Sequence, residues 1–299
     1  MEKNEKETDG EQVLKYKFTK DTLFKILFVK NQDLLRSLVA ALLGISRKSI
    51  RELTIANPEI LPENLKGKFV RLDIHMNIGG KLVDLEIQVE NEGDFPERSL
   101  YYWSRAYSTA LDKNGQYKVL PQTIVISIID FALFRCLGYK SEFRLLETDR
   151  HELLTDKLSL LYFELPKLPG DMDANNPLGL WLSLFNAKTE GDLKKIEQLG
   201  VPEMNKAISE YRNIVYSNEF TELERMRDKA RVDGIYAIKN AVEKGVAQGK
   251  KLERKRGNAK LKRALAEKDA DIVKREADIT EKDNLIKELQ RKIIELQKL

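Results

Sequence analysis

Residues 71–90 read RLDIHMNIGGKLVDLEIQVE, and the way this stretch pairs with itself decides the fold. Two runs of alternating apolar and polar residues flank Gly79-Gly80, the signature of a tight β-hairpin. Strands are expected over 69–78 and 81–90. Symmetric closure at the glycines sets Ile78 against Lys81, His75 against Asp84, Asp73 against Glu86 and Arg71 against Gln88. Ile74, Met76 and Ile78 then share a core face with Val83, Leu85 and Ile87. The other face carries Arg71, Asp73, His75 and Asn77 with Asp84, Glu86, Gln88 and Glu90.

Such a polar face is ordinarily solvated. The Asp73–Glu86 opposition argues for something more, because facing carboxylates on paired strands have Cβ atoms about 4.5–5.5 Å apart and repel. A divalent cation reverses that sign. Mg²⁺ takes oxygen ligands, commonly one or two carboxylates with waters and a substrate phosphate. Asp73 and Glu86 are the candidate metal ligands. Gln88, two residues on and on the same face, can orient a water or a phosphate oxygen, but it carries no charge with which to act as a lysine would. His75 opposite Asp84 has the form of a general-base pair, although a surface ion pair is the ordinary reading. With two histidines and one cysteine in the chain, a zinc site of the usual ligands has little support.

Outward from the hairpin, residues 20–44, KDTLFKILFVKNQDLLRSLVAALLG, space their apolar side chains as helices do, with Asn31 and Asp33 marking a break and Gly44 a stop. A first strand is expected within 49–56. Pro96 opens a helix through SLYYWSRAYSTAL. Strands follow over 122–129, 142–146 and 158–165, and the pattern is that of an α/β domain. After Asp171 the strand signal gives way to helical segments. From Leu265, apolar residues recur every seven positions through Ile272, Ile279, Ile286 and Ile293, with Leu289 and Leu296 at the companion position, as in a coiled coil. Lys268, Arg275 and Lys282 hold the companion position earlier, so the seam is poor at its start. Residues 250–263, KKLERKRGNAKLKR, hold eight basic residues and one acid, a candidate contact for nucleic acid. Gly257 is expected to weaken a helix there.

At 42% hydrophobic the chain can bury a substantial core, while 33% charged residues leave part of it outside. A single cysteine, Cys136, rules out an internal disulfide framework and suits a reducing compartment. The charged opening MEKNEKETDG is unlike a secretory signal. The most apolar run, TIVISIIDFALF, is too short to span a bilayer and contains Asp130. A cytoplasmic protein without membrane spans is expected.

Asp73 followed by Glu86-x-Gln88 resembles the PD-(D/E)xK nuclease signature, with glutamine in the usual lysine position. In order, KFTKDTLFKILF, LDIHMNI, LEIQVE, ERSLYYWSRAYSTAL and VISIIDFALF resemble the Rpn family of recombination-promoting nucleases, also called PD-(D/E)xK family transposases. The similarity runs from about Leu14 to Gly249 and includes the later WLSLF. The resemblance implies a restriction-endonuclease-like α/β core with a mixed sheet flanked by helices. It implies a Mg²⁺- or Mn²⁺-dependent DNA endonuclease linked to recombination and mobile DNA. Asp73 and Glu86 carry over as metal ligands and Gln88 as the third catalytic residue. Asp21 matches an acid at the start of the family helix, where it would assist the metal or cap the helix. Arg105, on the helix after the metal strand, could hold a DNA phosphate.

The expected organisation is a disordered tail over 1–13, a nuclease core over 14–170, a helical extension over 171–249, and a basic segment with coiled coil over 250–299. The chain would form a homodimer through that coil and touch DNA through Lys250, Lys251, Arg254, Lys255 and Arg256. The rival expectation is a catalytically inactive, nuclease-like module for DNA binding or assembly.

Overall fold

A computed structural model describes residues 12–56, 74–111 and 116–296. Asp73 and Arg71 lie outside the described residues, as does most of the expected N-terminal tail.

Two glycines set the geometry of the hairpin. Gly79 and Gly80 have φ of 55° and 81°, the double left-handed turn whose twist matches that of paired strands. Asn77 Oδ1 accepts the Gly80 N–H at 3.0 Å and closes the loop. Strands β2 (Ile74–Ile78) and β3 (Lys81–Gln88) pair antiparallel with Ile78 against Lys81, His75 against Asp84 and Ile74 against Leu85. That is the expected register at every described pair.

Among the described residues, six strands form one mixed sheet in the order β1-β2-β3-β4-β6-β5. The others are β1 (Leu53–Ile55), β4 (Thr123–Ile129), β5 (Lys140–Phe143) and β6 (Leu158–Glu164). β3, β4 and β6 run parallel, while β1 and β5 are antiparallel borders. Every residue of β4 and β6 is buried, as expected for central strands covered on both faces. The first strand is shorter than its sequence signal: Ser49 belongs to a 3₁₀ turn over Arg47–Ser49, and pairing with β2 covers only Leu53–Ile55. The fifth strand begins two residues earlier than expected and ends at Phe143.

Helices α1 (Asp21–Lys30) and α2 (Gln32–Leu43) break at Asn31, whose side-chain amide donates to Leu27 O at 3.0 Å and whose carbonyl accepts the Leu35 N–H at 3.0 Å. Gly44 closes α2 at φ 66°, a conformation open to glycine at little cost. Then α3 (Phe95–Thr109) connects β3 to β4 and covers one face of the sheet, while α4 (Pro177–Asn186), α5 (Glu190–Gln198) and α6 (Pro202–Val215) follow β6. Val83, Leu85, Ile126 and Phe163 of the other sheet face share one core with Phe24, Phe28, Leu38, Trp181, Phe185 and Tyr211 from these helices. A smaller core under α3 joins Phe95 and Trp103 to Val125, Leu160 and Tyr162. The mixed sheet between helices is the restriction-endonuclease-like architecture.

The helices after Asp171 therefore build the same core as the sheet, and the first compact unit extends to Ala230. Described residues of the expected tail join it as well: Gln12 O accepts the Glu190 N–H, and Val13 forms an antiparallel bridge with Thr189. The second compact unit, from Arg231 on, consists of the later part of α7 (Asn218–Leu296). The expected weak point at Gly257 is not a break, nor are Gly234, Gly245 and Gly249. Each glycine costs about 1 kcal/mol in a helix, and the surrounding Lys, Glu, Ala and Leu, all good helix formers, outweigh it. Among the described residues no helix is long and apolar enough to cross a membrane.

Candidate active site

The pleat turns Asp84, Glu86 and Gln88 of β3 toward α3. The first two are withdrawn from solvent. The Asp84 side chain is 5% exposed and that of Glu86 is 1% exposed, because α3 lies over them. Glu86 sits beside Ser127 of β4 in the parallel register. Arg98, one turn into α3, places Nη2 3.8 Å from Glu86 Oε1. Its Nη1 is 2.7 Å from Glu92 Oε2, and its guanidinium lies 4.8 Å from the centre of the Phe95 ring. Ser99 hydrogen-bonds the Tyr162 hydroxyl beneath them. Burial pushes the Tyr162 phenol up, the Ser99 bond works against that rise, and the negative charge of Glu86 adds to it.

Polar atoms in this cluster are incompletely partnered. Ser127 Oγ and both Nε and Nη2 of Arg98 are buried without a hydrogen bond among the described residues. Buried donors and acceptors are nearly always satisfied, so the cluster has the character of a site that receives something polar. Sequence reasoning does not single out Arg98, although its two-turn spacing from Arg105 along one helix face is the available signal.

Gln88, half-buried at the end of β3, donates its side-chain amide to Glu90 O at 2.8 Å. Its backbone carbonyl accepts the Asp130 N–H at 3.0 Å, and Asp130 Oδ2 lies 3.1 Å from Lys17 Nζ. The strand ends thus collect Gln88, Asp130 and Lys17. In the sequence, Asp130 shows only as a charge interrupting an apolar run.

Asp84 Oδ1 is 2.9 Å from His75 Nδ1, so the expected ion pair forms, with its histidine at the surface and its acid buried. Arg105 is exposed and lines the same cavity as these two residues, apart from the Glu86–Arg98 cluster. Among the described residues, no group of three or more His, Cys, Asp or Glu side chains lies close enough to hold a metal.

The family model described as PD-(D/E)XK nuclease family transposase matches residues 18–241. The chain belongs to that family. It matches no curated protein and no solved structure. Membership in the PD-(D/E)XK transposases supports a nuclease-like role, and PD-(D/E)XK nucleases generally use divalent metals. The matched region takes in α1 to α6 and the first part of α7, and stops short of the basic run at 250–263.

Within this transposase-family domain, Asp21 does not cap α1. Lys20 is the cap residue, and Asp21 in the first turn is held by Arg227 of α7, at 3.0 Å to Oδ1 and 2.7 Å to Oδ2. Lys20 pairs with Glu224 at 2.9 Å, so the start of α7 is latched to the start of α1. Burial raises the Asp21 pKa, but the Arg227 hydrogen bonds and charge outweigh it and hold the carboxyl below its ordinary 3.8. A lowered folded-state pKa stabilises fully above the unfolded value, and that contribution is lost as pH falls through the lowered one. Asp21→Asn is expected to cost about 1–2 kcal/mol at neutral pH. In urea titrations, its gap from wild type should close as pH falls below 3.8. A gap that persists in acid would mean that the carboxylate charge is not what holds the latch.

Proposed function

We propose that the domain is a Mg²⁺- or Mn²⁺-dependent DNA endonuclease, with Asp73 and Glu86 as metal ligands and Gln88 as the third catalytic residue. The observation that carries this reading is the buried Glu86 carboxylate, set among under-partnered polar atoms on the central sheet of a nuclease-family fold. The donors suit the ion: carboxylate and amide oxygens are hard ligands of the kind Mg²⁺ prefers. When bound, such an ion polarises a phosphodiester oxygen and lowers the pKa of its water. Gln88 donates its NH₂ to Glu90 O, which leaves its carbonyl oxygen as an acceptor for a water or for the ion. Arg98 supplies positive charge beside Glu86 that Gln88, standing in the usual lysine position, cannot. Nicking of supercoiled plasmid in Mg²⁺, abolished by EDTA, tests the reading. DNA retention without nicking in either metal would favour the inactive DNA-binding module instead.

The same reading includes a homodimer through α7. Leu265, Ile272 and Ile279 are each more than half exposed in the single chain, and a seven-residue apolar repeat finds cover in a second helix. Ile286, Leu289, Ile293 and Leu296 fall outside the described side chains. Lys250, Lys251, Arg254, Lys255 and Arg256 are exposed on α7 and would contact phosphates. Truncation after Gly249 should leave a monomer by light scattering, with clearly less than half the mass of the full-length dimer. It should also flatten the salt dependence of DNA binding by about 0.9 log units for each phosphate that is no longer neutralised. The same number of chains per particle before and after truncation would remove the coiled-coil dimer.

A further inference from the structure

Beside the Glu86 cluster, on the same face of the sheet, a cavity of about 640 Å³ opens between the hairpin and the C-terminal half of α3. Its size is that of pockets for small organic ligands. Leu82, Tyr102 and Ala106 give it apolar walls, and Asp84, His75 and Arg105 converge on it. Asp84 is the buried member, with His75 held against one of its oxygens at 2.9 Å. An ionised carboxylate has about four acceptor positions, so Asp84 can accept further donors from a ligand. Arg105 is exposed at the rim, and its guanidinium forms no ion pair with a described residue.

This lining selects against a bare phosphate or an acidic ligand, which the buried Asp84 carboxylate would repel. It fits a flat heteroaromatic ring that bears an amino donor and is attached to a phosphate: the ring against Tyr102 and Ala106, the amino group on Asp84, the phosphate on Arg105. Asp84 precedes Glu86 by two residues on one face of β3, a step of about 6.6 Å. A DNA strand with its phosphate at Glu86 would therefore bring a neighbouring nucleotide to the cavity. A paired, stacked base cannot enter, because its edge is occupied and its faces are covered.

We propose that this cavity accepts one unpaired, amino-bearing nucleobase of the DNA strand, next to the phosphate that is cut. The choice of ligand rests on the endonuclease reading. The protein would then prefer DNA with a bulged or otherwise opened nucleotide over a fully paired duplex.

Binding of full-length protein to short duplexes, measured by fluorescence anisotropy in EDTA, tests this without any cleavage. A duplex with one bulged adenine should bind at least about fivefold tighter than its fully paired counterpart, the lower end of what stacking one base on an aromatic side chain provides. A bulged thymine, which lacks the amino group, should show less of this gain. Ala106→Phe fills the cavity without removing a polar group. It should abolish the preference while leaving affinity for paired duplex within about twofold, since backbone contacts dominate that affinity. Arg105→Gln, a change at an exposed position, should lower affinity for bulged DNA even if the filled variant folds poorly. Equal binding of bulged and paired duplex by the wild type would overturn the proposal, as would a preference that survives Ala106→Phe. Tighter binding of free deoxyadenosine monophosphate than of the bulged duplex would also overturn it, by making the cavity a nucleotide site. Nicking assays run in parallel keep the two ideas apart. A bulge preference without nicking removes the endonuclease alone, and nicking without a preference removes the cavity alone.

Discussion

Asp73→Asn and Glu86→Gln should each reduce Mg²⁺-dependent plasmid nicking by about 10³-fold or more, because the ion that stabilises transition-state charge would no longer be held in place. Each change keeps the side chain's size and removes the charge that would hold the ion. DNA binding in EDTA should be little altered, because the metal takes no part in it. Glu86→Gln also leaves Arg98 beside a neutral amide in a buried setting, so some loss of stability is expected with the loss of activity. Comparing melting curves of the two variants separates the effects. Nicking at the wild-type rate by both variants would end the assignment of these residues as metal ligands. Nicking that survives in the Asp73 variant alone would shift the site toward Glu86 and its α3 neighbours.

Trp181→Ala should destabilise the protein by about 3–5 kcal/mol, a large share of the roughly 5–15 kcal/mol that holds a domain together. Trp181 is fully buried on α4, with its ring 5.7 Å from that of Phe28 on α1 and stacked on Phe185 at 6.3 Å. Its indole N–H points to Ser37 Oγ at 3.4 Å. Little of this space can collapse, because rigid rings wall it on several sides. Urea unfolding measures the loss. A cost below about 1 kcal/mol, the level of a change that creates no core cavity, would mean that the helices after Asp171 sit outside the core.

The second expectation marks where the sequence stops being readable. Short-range signals are legible because each has a local cause. Gly79-Gly80 fixes the turn, the alternation of Ile74, Met76 and Ile78 fixes the register, and the β-branched run before Asp130 marks a strand buried on both sides. Nothing local says which distant helix covers a sheet face, so the stretch after Asp171 reads as an extension when its Leu180, Trp181 and Phe185 complete the core. The site divides in the same way. Glu86 and Gln88 are visible through their spacing on one strand. Arg98 and Lys17 approach from separate elements, and only the folded chain brings the first within 3.8 Å of Glu86 and the second to Asp130. Asp21 looks like a cap because acids favour helix starts; its partner, Arg227, lies more than two hundred positions away.

The two borders that the described residues give the sheet have a consequence for the behaviour of the protein in solution. β1 spans three residues and β5 four, and β5 carries Lys140 and Glu142 outward among exposed positions. Strands so short and so charged offer a poor template for recruiting the backbone of another chain. The adhesive apolar strands lie inside: β4 is paired along both edges, and β5 covers Leu160–Phe163 of β6. The protein should accordingly resist strand-to-strand aggregation even at high concentration.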